Sequence, residues 1–473
     1  MSVKLLGKQS LTYGIGHIMA RLVTFLLLPL YTNVFTQEEY GIISLAYAFI
    51  GFALILYRYG MDSALMKFYV QAEDKKESES YLSTVVVLQI VSSLIFSGLV
   101  YAFRTSLSPL ILSVNEPDLI AIIAGIMFFD CLWNIAALVL RAEGRPGLFV
   151  GVNLTNVMLT LGLNYYLVVH MSFGIKGVLI GNLIASGSML TMTLPILLKR
   201  ISFQSVNNDV FSKVIRFGLP FLPAGFFSMI MELSDRYLLE WISGTETVGL
   251  YSAGYKLGMF GLLLVMGFNM GWTPYFLKRG KEPNAEVDFS RAAKYFLGLS
   301  GFFMVLLTIW VEDVIQVSIG GIAIIGESFW SSAEIIPVIL LGYYFFGFYV
   351  LQLPGIYLKD QTKWVPAFRA VGAGSNIILN IILISKYGAL GAAWATALAH
   401  IIMAAVIFLK SRSVYPVPMN LLGLLLPVIF IGGILWLPQT YPVKIAATAL
   451  FPVIWLFLVA DSSDRQLLFG KSK

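Results

Sequence analysis

Residues 41–60 read GIISLAYAFIGFALILYRYG, twenty residues with a single charge, Arg58, close to the end. About 20 predominantly apolar residues are what an α-helix needs to cross a bilayer core. The same texture recurs along the chain and predicts about fourteen spans: 11–34, 41–60, 81–103, 119–140, 148–169, 177–198, 217–241, 248–268, 292–311, 335–357, 365–384, 389–409, 421–437 and 443–460. Across all 473 residues, 58% are hydrophobic and 12% charged, too little polar surface for a soluble protein of this size. The fold class is therefore an all-α polytopic membrane protein. Short loops leave no room for a soluble catalytic domain.

The basic residues orient the spans. With the N-terminus in the cytoplasm, 24 of the 32 Lys and Arg fall in the inner connections and the termini. The outer connections hold only Arg104, Lys176, Lys386 and Lys444. That asymmetry follows the positive-inside rule and predicts both termini inside. Spread over many short loops, the positive charge suits lipid head groups and does not form a nucleic-acid patch. The stretch 314–330, apolar but holding Gly320 and Gly321, is expected to be interfacial or re-entrant, because a crossing there would move later Lys and Arg outside.

An internal repeat is visible. Gly41, Ser44, Tyr47 and Phe52 recur as Gly249, Ser252, Tyr255 and Phe260, an offset of 208. Phe173-Gly174 and Gly177 recur as Tyr387-Gly388 and Gly391, and Arg141 and Arg145 recur as Lys359 and Lys363. Six spans return the chain to the side where it began, so the halves are parallel, with a cavity expected between them. The expected organisation is a six-helix lobe over 1–200, a second over 201–412, and two additional spans with a tail over 413–473.

Ser234-Asp235-Arg236-Tyr237, Gly244, Val248-Gly249-Leu250-Tyr251-Ser252 and Tyr255-Lys256 resemble the centre of polysaccharide and O-antigen flippases of the Wzx type. Pro29-Leu30-Tyr31, Glu39-Tyr40-Gly41 and Phe217-Gly218-Leu219-Pro220 are similar to the heads of their two halves. These flippases belong to the multidrug/oligosaccharidyl-lipid/polysaccharide exporter superfamily. The resemblance covers essentially the whole chain. It implies two six-helix lobes and alternating access. It also implies transport of an undecaprenyl-diphosphate-linked oligosaccharide across the bacterial inner membrane, for lipopolysaccharide or other surface glycan.

Four basic residues lie inside predicted spans, where a charge is costly and marks function: Arg21, Arg58, Arg236 and Lys256. They are the candidate substrate-binding residues. Arg21, with His17 one turn away, suits a diphosphate because a guanidinium offers a fork of donors and stays charged; a structural ion pair is the alternative. Arg58 lines a cavity or snorkels to head groups. Glu232 and Arg236 are four apart and can pair on one helix face, leaving Asp235 to meet Lys256 on the next span. Asp130, mid-span with no cation within a turn, is a candidate for coupling to an H⁺ or Na⁺ gradient, as are Asp235 and Glu232; an interhelical hydrogen bond or a pairing with Arg21 is the alternative for Asp130. Asn153, Asn156 and Asn164, and Asn376 and Asn380 on the equivalent later span, suit sugar binding or interhelical hydrogen bonds.

No cofactor, metal or catalytic residue is expected. Cys131 is the lone cysteine, and His17, His170 and His400 lack metal-ligand spacing. P-loop, GxSxG and zinc signatures are absent. The competing functions are a lipid II flippase and a multidrug antiporter of the toxic-compound extrusion branch. The antiporter fits less well, because such chains have about twelve spans and an acidic residue where this one has Arg21. An embedded polymerase is disfavoured by the lack of a large outer loop. Membrane lipids, a polysaccharide polymerase and glycosyltransferases are the expected partners.

Overall fold

A computed structural model describes residues 25–461, and within them the predicted spans are helical. Among the described residues, eleven helices are long and apolar enough to cross a membrane, and one of these, Thr362–Val414, holds two of the predicted spans. Every predicted span from 41–60 onward has its helix. The first, 11–34, is seen only at its end, as α1 (Leu27–Val34).

Local chemistry sets the boundaries. α2 (Gln37–Arg58) opens with a capping box: Thr36 N–H donates to Glu39 Oε2 at 2.9 Å, and Glu39 N–H donates to Thr36 Oγ1 at 3.2 Å. It ends because Tyr59 (φ 30°) and Gly60 (φ 79°) turn left-handed. A short helix, α3 (Met61–Gln71), then departs in a new direction. Asp74 caps α4 (Lys75–Ala102) by accepting from Glu77 N–H at 2.7 Å. After α5 (Arg104–Leu112), prolines at the first positions start α6 (Pro117–Ala142) and α7 (Pro146–Asn164). There follow α8 (Gly174–Leu198), the amphipathic α9 (Asn208–Gly218), α10 (Phe221–Ser243), α11 (Thr245–Gly258), α12 (Phe260–Arg279) and α13 (Ala285–Gln316). The described residues continue with α14 (Ile335–Leu351), α15 (Leu353–Tyr357), α16 (Val365–Val414), α17 (Leu421–Ile434) and α18 (Tyr441–Leu458). Gly388 (φ 52°, ψ −128°) divides α16 into its two spans.

Two expectations are refined. The ambiguous stretch 314–330 does not cross: α13 ends at Gln316, Ser318–Ile319 pairs antiparallel with Ile322–Ala323 around Gly320-Gly321, and a 3₁₀ helix runs over Glu327–Glu334. The two glycines take positive φ, which a continuous helix would not allow. α17 is 14 residues, shorter than the predicted 421–437. At 1.5 Å per residue it is about 21 Å long, short of a full bilayer core.

The chain divides into two compact units, 1–252 and 253–473. The first is centred on α3, α4 and α6, where Met61, Leu65, Leu82, Val85, Ile135 and Val139 are buried together. The boundary at 252 follows packing, whereas the expected lobes over 1–200 and 201–412 express the repeat. The two differ because α10 and the start of α11 pack on α2. In lipid such packing depends on close approach and interhelical hydrogen bonds rather than on hydrophobic burial. The Tyr237 hydroxyl donates to the Leu45 carbonyl at 3.1 Å. A Cβ on Gly41 would lie 2.1 Å from the Thr245 carbonyl oxygen, and one on Gly249 would lie 1.9 Å from that of Gln37. Gly41 and Gly249, like Gln37 and Thr245, differ by the repeat offset, so this crossing maps onto itself when the halves are exchanged. In the second unit, α17 and α18 pack on α13 through Val305, Ile309, Leu426 and Phe451.

Candidate functional site

The structure sorts the sequence candidates into distinct environments. Arg21 and His17 lie outside the described residues. Arg58 closes α2, half-exposed, with its Nη1 3.6 Å from Asp62 Oδ2 across the α2–α3 turn. Asp62 had no place among the sequence candidates, yet it stands four residues from Arg58, a spacing that could have found it. Asn134, on α6, approaches the same Asp62 oxygen at 3.5 Å. The other Asp62 oxygen and Arg58 Nε are buried without a hydrogen-bond partner.

Asp130, one turn before Asn134 on α6, has two neutral donors on Oδ1: Trp133 Nε1 at 2.9 Å and Ser186 Oγ at 2.6 Å. It thus ties α6 to α8, the hydrogen-bonding alternative, with no bonded cation among the described residues. Nearby polar groups also join helices of this unit. The Tyr31 hydroxyl donates to Asn164 Oδ1 at 2.8 Å, and Asn182 donates to the Tyr47 hydroxyl.

The acidic run of α10 is arranged differently from the expectation. Arg236 Nη1 donates to the Asp235 carboxylate at 2.9 Å and to the Glu232 backbone carbonyl at 2.8 Å. The expected side-chain pairing of Glu232 with Arg236 is therefore replaced by pairing with the adjacent Asp235. The physical reason is burial: Asp235 is 1% exposed and needs a cation there, whereas the half-exposed Glu232 does not. Tyr251, on α11, donates its hydroxyl to the second Asp235 oxygen, so the carboxylate that was assigned to Lys256 is held by Arg236 and Tyr251. Lys256 itself is half-buried in the second unit.

In that second unit Asn376 Nδ2 donates to Thr396 Oγ1 at 3.3 Å, across the α16 break. Asn380 Nδ2 donates to the Asn376 backbone carbonyl at 2.9 Å and to its side-chain oxygen at 3.0 Å. Asn153, by contrast, only donates to its own helix, at the Phe149 carbonyl.

A further cluster joins the ends of α3, α6 and α8. Arg200 forks onto Glu143, with Nε–Oε1 at 2.5 Å and Nη2–Oε2 at 2.8 Å. Arg145 and the Tyr69 hydroxyl complete the carboxylate's shell, at 3.2 and 3.1 Å. Partial burial by itself would raise Glu143, but the Arg200 fork outweighs it, and the carboxyl is held below its usual range.

These clusters sit in a recognised sequence family. The profile of the polysaccharide biosynthesis protein family matches residues 6–279, more than half of the chain. The chain belongs to the polysaccharide biosynthesis protein family. A Haemophilus influenzae protein of the Lsg locus is 23% identical over 417 residues, covering 80% of this chain and 98% of that one. Among solved structures, the lipid II flippase MurJ in an inward closed conformation is similar at a TM-score of 0.75, with 19% identity and coverage of 94% of this chain and 97% of that one. An inward-facing multidrug resistance MATE family transporter of the MOP superfamily is similar at 0.59, with 16% identity and coverage of 87% and 94%. Family and fold together make this member a multi-pass membrane protein of polysaccharide biosynthesis, with the fold that MurJ and the MATE transporter share.

Proposed function

We propose that the chain flips a lipid-diphosphate-linked oligosaccharide, carried on an undecaprenyl-type lipid, across the bacterial inner membrane, with both termini in the cytoplasm. Glycosyltransferases would build this substrate and a polymerase would extend it on the far side. The observation that carries the reading is a span-end arginine, Arg58, whose Nε is buried without a hydrogen-bond partner among the described residues, in a member of a polysaccharide biosynthesis family. Guanidinium forks match phosphate oxygens. Arg21, placed by the sequence near the middle of the first span, is the second cation for the diphosphate; Arg236 serves mainly to hold Asp235, and Lys256 remains a candidate on the other half.

For coupling to H⁺ or Na⁺, Asp130 is the strongest of the three acidic candidates. Asp235 already has Arg236 as counter-ion, and the half-exposed Glu232 has no burial to set it apart. Asp130 has only neutral donors on its bonded oxygen.

Arg21→Ala tests the reading. A lone cation at mid-membrane costs about 3 kcal/mol or more unless compensated, and a lipid diphosphate compensates it only when substrate is present. Surface glycan should therefore be lost while protein level stays normal, and Arg21→Lys should keep part of it. Normal export by well-expressed Arg21→Ala would refute the role. Rescue by the wild-type chain of cells lacking lipid II flipping would redirect the reading to lipid II.

A further inference from the structure

Two charges meet at the α2–α3 turn, and the pair is built to open. Arg58 occupies the last turn of α2, where the helix dipole favours a cation, and Asp62 occupies the first turn of α3, where it favours an anion. Each charge thus keeps a stabilising partner, its own helix end, when the other is removed. The left-handed residues Tyr59 and Gly60 between them hold Nη1 and Oδ2 at 3.6 Å, beyond good hydrogen-bond length. Asn134 reaches Asp62 only at 3.5 Å. Arg58 Nε and Asp62 Oδ1, both buried, have no partner among the described residues. A buried donor and acceptor left unfilled side by side call for a ligand or a rearrangement.

We propose that Asp62 is a displaceable counter-ion for Arg58, which the diphosphate of the substrate replaces during transport. Without substrate, Asp62 neutralises Arg58 loosely. An arriving diphosphate fills the guanidinium fork, and Asp62 withdraws to the start of α3. When Asp62 returns, it competes with the diphosphate and speeds release. Asp62 acts through Arg58 and is a positioning residue. The inference rests on the proposed lipid-diphosphate substrate.

The test uses purified full-length protein, with undecaprenyl diphosphate in mixed micelles as one probe, inorganic pyrophosphate as a second and phosphatidylglycerol as the control lipid. Asp62→Asn removes the competitor and should tighten diphosphate binding on the order of five- to tenfold. Asp62→Glu, one methylene longer, closes the gap to Arg58 and should weaken binding. In an Arg58→Ala background neither change should matter. In cells, Asp62→Asn should lower surface glycan at normal protein level, because release is slowed. Unchanged or weaker binding by a stably folded Asp62→Asn variant would overturn the proposal, as would tightening that persists without Arg58. If Asp62→Asn fails to fold, the sign of the Asp62→Glu effect decides: tighter or unchanged binding overturns the counter-ion role. Opposite shifts seen with pyrophosphate, with no binding of undecaprenyl diphosphate by any variant, would keep the counter-ion role and reject the lipid-linked substrate. Equal responses to phosphatidylglycerol would reject diphosphate selectivity and with it the proposal.

Discussion

Arg200–Glu143 and Arg58–Asp62 join the same two chemical groups in the same unit, and they are built in opposite ways. The first is a fork with both carboxylate oxygens used, reinforced by Tyr69 and Arg145. The second is a single contact at 3.6 Å with a donor and an acceptor left over. The difference follows from backbone. Glu143 and Arg200 come from the ends of two different spans, so the fork can close fully and fasten α6 to α8. Arg58 and Asp62 flank a left-handed turn in one continuous stretch, and that turn holds them apart. A saturated pair is a fastener, whereas an unsaturated one is a site.

The sharpest way to break this comparison is to truncate both arginines. Arg58→Ala should reduce surface glycan at least tenfold per folded protein, with little change in melting temperature, because no fork is lost. Arg200→Ala should act through folding instead. It leaves Glu143 partly buried with its fork gone, a loss of about 1–3 kcal/mol. Glycan output and fluorescence-detected size exclusion, measured on the same cells, separate the two. If Arg58→Ala depletes folded protein as Arg200→Ala does, the distinction between fastener and site collapses.

A smaller effect is expected from acid. The folded-state pKa of Glu143 is depressed, so its contribution to stability is fully present above the ordinary carboxylate value, about 4.3, and is lost as pH falls through the lower folded value. Melting temperature between pH 6 and 3 should therefore fall less steeply for Glu143→Gln than for wild type. Since the pair is partly exposed, the slope should correspond to no more than about 1 kcal/mol. Equal slopes would mean that Glu143 is no more strongly held in the fold than in the unfolded chain.

Much of the architecture was legible in the amino-acid order. Span positions follow from apolar run length, because in lipid a backbone must satisfy its own hydrogen bonds and helices do so locally. The repeat offset of 208 marked Gly41 and Gly249 as equivalent positions, though not that they would meet, and the paired glycines 320 and 321 marked a stretch that turns instead of crossing. The charged residues embedded in the spans were also visible, since an intramembrane charge stands out against its neighbours whatever the fold.

What each of those charges meets was decided by tertiary structure. Sequence spacing offered Arg236 a partner at Glu232, but burial made Asp235 the carboxylate that needed it, and Tyr251 arrived from another helix. Asp130 showed no cation within a turn, and its donor Ser186 lies 56 residues away, on α8. Asp62 was legible only in part. Its spacing of four from Arg58 marks it as a possible partner, but nothing in the order of residues shows that the left-handed turn at Tyr59 and Gly60 keeps the pair out of full contact. Run length and charge are properties of one segment and can be read from it. Pairing distance depends on two segments and the angle between them, and only the packed helices set that angle.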